Sequence, residues 1–248
     1  MLGLPRSARL AVWADSWLTG HIALDEVVAR VQGDDEPHTV TGHPNGSGSF
    51  GMALQSLRTA GARAMRVALP RPGDPHGLGG PPDLTVDAVA AGEAVVCVGA
   101  PVALVPAVVT FGSPGDQGHQ VSWAWHTAEP PPLVPGLAEA EQALSQQLIA
   151  AGSTLMHLDV AAWRPELGKL LDDIRSGRAA EPLPRTFPPA AQALAARGAR
   201  VLAVVDAALT HDGLALTAAA ANARRVALLP LERAARHALA AACNALAA

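Results

Sequence analysis

The sequence predicts an α+β protein: a mixed, largely antiparallel sheet with flanking helices, followed by a C-terminal helical bundle. Three observations carry this. Between residues 94 and 127, short apolar runs are separated by Gly and Pro, and Val121, Trp123 and Trp125 alternate with Ser122, Ala124 and His126. After residue 136 the chain is mostly Ala, Leu and Arg at helical spacing. Charge also changes sign along the chain. Residues 1–174 hold nine Lys+Arg against eighteen Asp+Glu, a balance of −9, whereas residues 175–248 hold nine against four, a balance of +5. Such a shift divides the chain into an α+β part, 1–130, and a helical part, 136–248, packed on it or fused with it in one domain. Glu129 to Pro135 contains four prolines and is the best linker.

The elements follow in order. Residues 5–19 form a helix with Leu10, Trp13, Trp17 and Leu18 on one face, ended by Gly20. Leu24, Val27, Val28 and Val31 mark a second helix. Its Asp25 and Glu26 are wrong for a helix in a DNA groove. His38 to Val40 is a short strand, Thr41 to Ser49 a loop, and 50–60 a helix ended by Gly61. A strand at 64–69, a Pro/Gly loop and a helix at 85–91 lead into an antiparallel meander of strands at 94–98, 102–111 and 118–127. In the last strand both Trp123 and Trp125 are expected on one buried face. Beyond residue 136 no strand is expected. Pro165 starts one helix, Ser176-Gly177 ends it, and Asp212-Gly213 ends the next. The final 30 residues read as two helices, with Pro230 at the first turn of the second. Leu148, Leu155, Val201, Leu202 and Val205 are expected in one core.

Composition excludes several classes. A net charge of −4 and a pI near 6.1 argue against a dedicated nucleic-acid binder. Cys97 and Cys243 have no metal-ligand spacing and read as buried free thiols of a reducing compartment, so a cytoplasmic location is expected. The uncharged stretch Ala94 to Gly115 is long enough for a bilayer, but its Gly and Pro residues read as strands and a turn, not a membrane span. Ala and Arg in excess with a single Lys fits a GC-rich coding sequence.

Several motifs bear on chemistry. Gly46-Ser47-Gly48-Ser49-Phe50-Gly51 is a formal G-x-G-x-x-G before a helix, where backbone amides can hold a phosphate. His43 precedes it, and Arg71 ends the next strand, where a cation could meet an anionic ligand. The approach from Val40 is longer than a dinucleotide fold uses, so a surface loop is the preferred reading. The same run lies one residue from a serine nucleophile elbow, but His211 and Asp212 are adjacent and poorly placed to complete a triad. The nine His include no H-x-x-x-H pair, and no metal site or cofactor is expected. Arg224, Arg225, Arg233 and Arg236 cluster near the C-terminus and could face an acidic partner; a solvated helix face is the plainer reading.

Leu69-Pro70-Arg71-Pro72-Gly73-Asp74-Pro75, then Ala91-Gly92-Glu93-Ala94-Val95-Val96 and Leu104-Val105-Pro106, resemble an uncharacterised protein family of high-GC bacteria. The resemblance spans most of the chain and implies a stand-alone intracellular protein with no assigned chemistry. Two function classes follow. One is a non-enzymatic binding or regulatory protein with a protein partner or a second copy of itself. The other is an enzyme or small-molecule binder with an anionic ligand at Gly46–Gly51.

Overall fold

The computed structural model describes residues 3–44, 46, 48–113, 115–157, 180–210 and 218–246. The chain divides into two compact units, each described by itself: Pro5–Val134 with Pro184–Thr186, and Pro135–Leu183 with Phe187–Ala245. The first is built on a six-stranded sheet. Its elements are α1 (Arg6–Leu18), α2 (Leu24–Gln32), β1 (Thr39–Thr41), β2 (Gly48–Ser49), α3 (Phe50–Thr59), β3 (Ala64–Ala68), α4 (Pro82–Ala91), β4 (Ala94–Val98), β5 (Val102–Ser113) and β6 (Asp116–Thr127).

Strand order is β2-β1-β6-β5-β4-β3. All neighbours are antiparallel except β1 and β6, which run parallel and make the sheet mixed. Thus the expected meander is present, and both its long strands extend further toward the connecting turn than the sequence suggested.

Register places Met65, Cys97, Val95, Val67, Leu104, Trp125 and Trp123 on one face of the sheet, because directly opposed residues share a side. α1 packs against β3 and β4. On the other face α4 lays Leu84 and Ala88 against Val96, Ala103 and Val105. β4 is therefore covered on both sides, which is why Ala94-Val95-Val96-Cys97 is a continuous apolar run. α4 starts earlier than expected, at Pro82, since a proline's fixed φ suits the first helical position and its missing N–H is no loss there.

α1 differs from the one-sided helix expected. Ser7, Ala8, Leu10, Ala11, Val12, Ala14, Asp15, Ser16 and Trp17 are all buried, while Trp13 is half-exposed beneath the Arg30 guanidinium, 4.8 Å from its ring centre. Small residues let the helix sit close to the sheet. Its N-terminus has no side-chain cap of its own, and Glu93 supplies one by accepting from the Ser7 amide at 2.7 Å.

The outer edge of β3 is occupied by α1. Asp15 Oδ1 accepts from the Met65 amide at 2.6 Å, a position where an edge strand would otherwise offer a free donor. Asp15 Oδ2 is buried without a hydrogen-bond partner. Burial therefore disfavours the carboxylate and pushes its pKa up to about 7, against smaller opposing effects of the Met65 amide and the Arg66 charge.

In the second unit every described element is a helix: α5 (Leu137–His157), α6 (Pro189–Thr210) and α7 (Ala218–Cys243). Leu144, Leu194, Val205 and Leu239 are buried. Leu148, Val201 and Leu202 are only half-buried, and the side chain of Leu155 lies outside the description, as do the helix expected from Pro165, its end at Ser176-Gly177, and Asp212-Gly213. Heptad spacing located the helices but not which face turns inward. α6 and α7 meet at Gly198, where a Cβ would stand 3.2 Å from the Ala235 carbonyl and 3.3 Å from the Leu239 amide. Ala235, Ala238 and Ala242 are fully buried on α7, so small residues set this close approach.

The expected break at Pro230 is absent. α7 runs through it as one helix. Pro230 is exposed, so the carbonyl left without its donor can meet water. Leu228, Leu231, Ala235 and Leu239 bury the opposite side and offset the proline's cost of about 3 kcal/mol. No helix of the described residues is long and apolar enough to cross a membrane.

Two predictions follow from this packing. The folded Asp15 holds its proton up to about pH 7, whereas the unfolded one releases it near pH 4. Its contribution to stability is thus full below pH 4 and is lost as pH rises toward 7. Asp15→Asn removes this titration, so urea midpoints should show the variant gaining on the parent from pH 4 to pH 7. A constant difference would mean that Asp15 does not titrate in the fold. Separately, Leu239→Ala should cost about 2–5 kcal/mol in denaturant unfolding, and Leu202→Ala clearly less.

Candidate functional site

A buried polar relay lies where β6 crosses β1. Trp123 is fully buried on β6, and its indole Nε1 donates to His38 Nδ1 at 3.1 Å. His38 precedes β1, and its Nε2 stands 3.3 Å from Asp35 Oδ2. Arg6, in the first turn of α1, donates from Nε and from its terminal guanidinium nitrogen to the two Asp35 oxygens, both at 2.7 Å. Phe50 stacks on Trp123 with ring centres 5.6 Å apart and meets His38 edge-on.

The proton positions are determined by the donors. An indole N–H only donates, so His38 Nδ1 must accept and carries no proton. The remaining proton of the neutral ring is then on Nε2, pointed at Asp35. Burial lowers the His38 pKa and outweighs the nearby carboxylate, consistent with a neutral ring. For Asp35 burial works in the opposite direction, raising the pKa. The two Arg6 hydrogen bonds and charge overcome it, with His38 adding, and hold the carboxyl below its ordinary value. Each polar group is thereby used within the fold, leaving a structural anchor with no proton to exchange on His38 Nδ1.

β6 continues outward from this anchor. His119 Nδ1 lies 3.5 Å from Asp35 Oδ1, and the Glu36 amide donates to the His119 carbonyl at 2.9 Å. The outer edge of β6 is thus covered at His119 by Glu36 and at Ser122–Ala124 by β1. The outer edge of β5 is different. β4 pairs only with Ala103 and Leu104, whereas β5 and β6 remain paired from Val102–Thr127 to Ser113–Asp116. From Ala107 to Ser113 every β5 residue is exposed. Among the described residues the distal half of the hairpin is a two-stranded arm whose β5 edge has no strand partner.

Pro106 reveals which groups face that edge. It opposes Trp123 yet has no N–H, so it takes a position whose nitrogen points away from β6. By alternation the amides and carbonyls of Val108 and Thr110 also point outward. On the α4 side of the arm Val109 and Phe111 are 60% and 46% exposed. The Phe111 ring lies across Gly118, where a Cβ would fall only 2.5 Å from Cζ, so a side chain there would displace the ring.

The residues singled out from sequence fall elsewhere. Gly48 and Ser49 form β2, paired with Val40 and Thr39. Ser49 Oγ caps α3 by accepting from the Met52 amide, at the helix start where a phosphate would have to bind. Gly46 has φ +90 and open space around it; Ser47 lies outside the described residues. His43 Nε2 is 2.8 Å from Ser56 Oγ, and its ring meets Trp125 edge-on. Arg71 is not brought to this loop. β2 and β3 are opposite edges of the sheet, about 24 Å apart at 4.8 Å per strand. There Arg71 donates to the Pro70 and Gly92 carbonyls, at the C-terminus of α4, where a cation suits the helix dipole.

The arginines of α7 differ in exposure. Arg225 and Arg233 are exposed, but Arg236 is buried and its Nε donates to Glu232 at 2.8 Å, an i,i+4 pair; the Arg224 side chain lies outside the described residues. Sequence reasoning missed the relay, whose members are far apart along the chain. It also missed the open edge, for which the proline in an apolar strand was the available signal.

Replacing Trp123 with Phe removes the proton that His38 Nδ1 receives and, among the described residues, leaves that buried nitrogen unpaired. The variant should lose about 1–3 kcal/mol in denaturant unfolding. A loss below half a kilocalorie would mean the relay does not hold the strand.

The chain matches two consecutive family descriptions, "Rv1486c-like protein, N-terminal domain" over residues 7–140 and "Rv1486c-like protein, C-terminal domain" over residues 138–240. It is 30% identical over 218 residues to "Uncharacterized protein Rv1486c" of Mycobacterium tuberculosis strain ATCC 25618 / H37Rv, covering 72% of this chain and 75% of that protein. "Uncharacterized protein MT1533" of strain CDC 1551 / Oshkosh matches at the same identity and coverage. No solved structure matches significantly. The chain belongs to the Rv1486c-like family.

Proposed function

We propose that this member of the Rv1486c-like family is a non-enzymatic binding protein that engages a protein partner through the β5–β6 arm, without a cofactor. The observation that carries this reading is the open β5 edge with Val109 and Phe111 exposed beside it. An unpaired strand edge with apolar neighbours is a template for another strand, and folds normally blunt such edges. In this unit β3 is blunted by Asp15 and β6 in part by Glu36 and β1, whereas among the described residues nothing covers β5 beyond Pro106. The relay supports a binding role because its ionisable groups satisfy one another.

A cytoplasmic location belongs to the same proposal. Cys97 and Cys243 are free and buried, and burial pushes both thiols up to about 12, so neither is activated for redox chemistry.

A photo-crosslinking residue at Val109, in the protein expressed in its own cell, should give a discrete adduct of higher mass. The same residue at Val86, exposed on α4, should not. No adduct at position 109, or the same products at both positions, would contradict the reading.

A further inference from the structure

We infer that the open β5 edge pairs with the same edge of a second copy of this chain, antiparallel and centred on Thr110. The inference rests on the reading that the arm binds protein, and it names the partner.

Self-pairing is favoured by the strand's own register. The outward-pointing positions on β5 are Pro106, Val108, Thr110 and Gly112, by the alternation that Pro106 establishes. A two-fold axis at Thr110 makes that residue a hydrogen-bonded pair with its counterpart. Val108 then faces Gly112 of the second copy, and Val109 faces Phe111. On the α4 side this forms two apolar–aromatic cross-strand pairs, and on the other side a Thr–Thr pair. Such an interface is isologous and closes at two copies.

Charge points the same way. Val102–Ser113 contains no charged residue, so antiparallel self-pairing sets no like charges against each other. Asp116 and His119 are on β6, one strand removed from the seam. Pro106 limits pairing to the distal half because it offers no donor at the base. The arm gains as well: two strands alone are marginal in water, and four share their ladders.

The full chain should sediment as a dimer of 25.3 kDa protomers. Thr110→Pro deletes only an outward amide, as Pro106 does two pairs earlier, and should yield a monomer with an unchanged circular dichroism spectrum. Thr110→Cys should form an interprotomer disulfide under a mild oxidant, since directly opposed Cα atoms stand about 5.5 Å apart. Val108→Cys should not, its counterpart being displaced by about 14 Å. Should Thr110→Pro fail to fold, paired charges decide. Val109→Lys with Phe111→Lys sets Lys against Lys and should be monomeric, whereas Val109→Lys with Phe111→Glu sets Lys against Glu and should dimerise.

A parent chain that stays monomeric at the highest concentration at which it remains in solution overturns the inference. So does a folded Thr110→Pro dimer, equal crosslinking at 108 and 110, or identical behaviour of the two charged variants. A monomeric chain whose position-109 probe still captures a different protein sinks the dimer and leaves the binding reading standing; no adduct at all sinks both.

Discussion

The hydrogen bond from Trp123 to His38 holds the first unit together. It joins one of the two longest strands of the sheet to the segment that enters β1, and through Asp35 and Arg6 it reaches the first turn of α1. A neutral imidazole is needed because indole can only donate, and the buried setting keeps it neutral. The parallel pairing of β1 with β6 depends on this link. Three residues of strand could not hold register unaided, and the aromatic stack of Phe50 on Trp123 brings α3 into the same arrangement.

With its base fixed, the hairpin can extend beyond the sheet. The fold covers its other edges by different means: a buried carboxyl on β3, a backbone donor from Glu36 and a short parallel strand on β6, and only two residues of strand at β2. Each limits pairing with another chain. Among the described residues the long β5 edge has no cover beyond Pro106, carries no charge and presents valine and phenylalanine. A two-stranded arm of that composition is costly to leave in water, and that cost is the physical ground of the proposed binding role.

Local pattern made the meander legible. Alternation around Trp123 and Trp125 gave its face, with Trp123 fully buried and Trp125 half-buried against His43. Glycine and proline gave the turns. What escaped was non-local. Nothing in the neighbourhood of residue 6, 35, 38 or 123 announces that they meet, because their association depends on strand order. The glycine motif is formal in its spacing: Gly48-Ser49 forms a two-residue strand and Ser49 caps the following helix, where a surface loop was the preferred reading. Asp15 read as the residue that interrupts an apolar stretch, yet it is buried because a strand amide waits for it. Pro230 read as a helix boundary, and burial on the far side of α7 overrode its local preference.

The account is tested most directly by residue-resolved amide hydrogen exchange along β5 at rising protein concentration. At low concentration Val109 and Phe111, bonded to β6, should exchange slowly, while Val108 and Thr110 exchange near the rate of exposed backbone. As concentration rises, Val108 and Thr110 should become protected together. Protection at those two amides that is already full at low concentration, or that never changes, would contradict an open edge that closes by pairing.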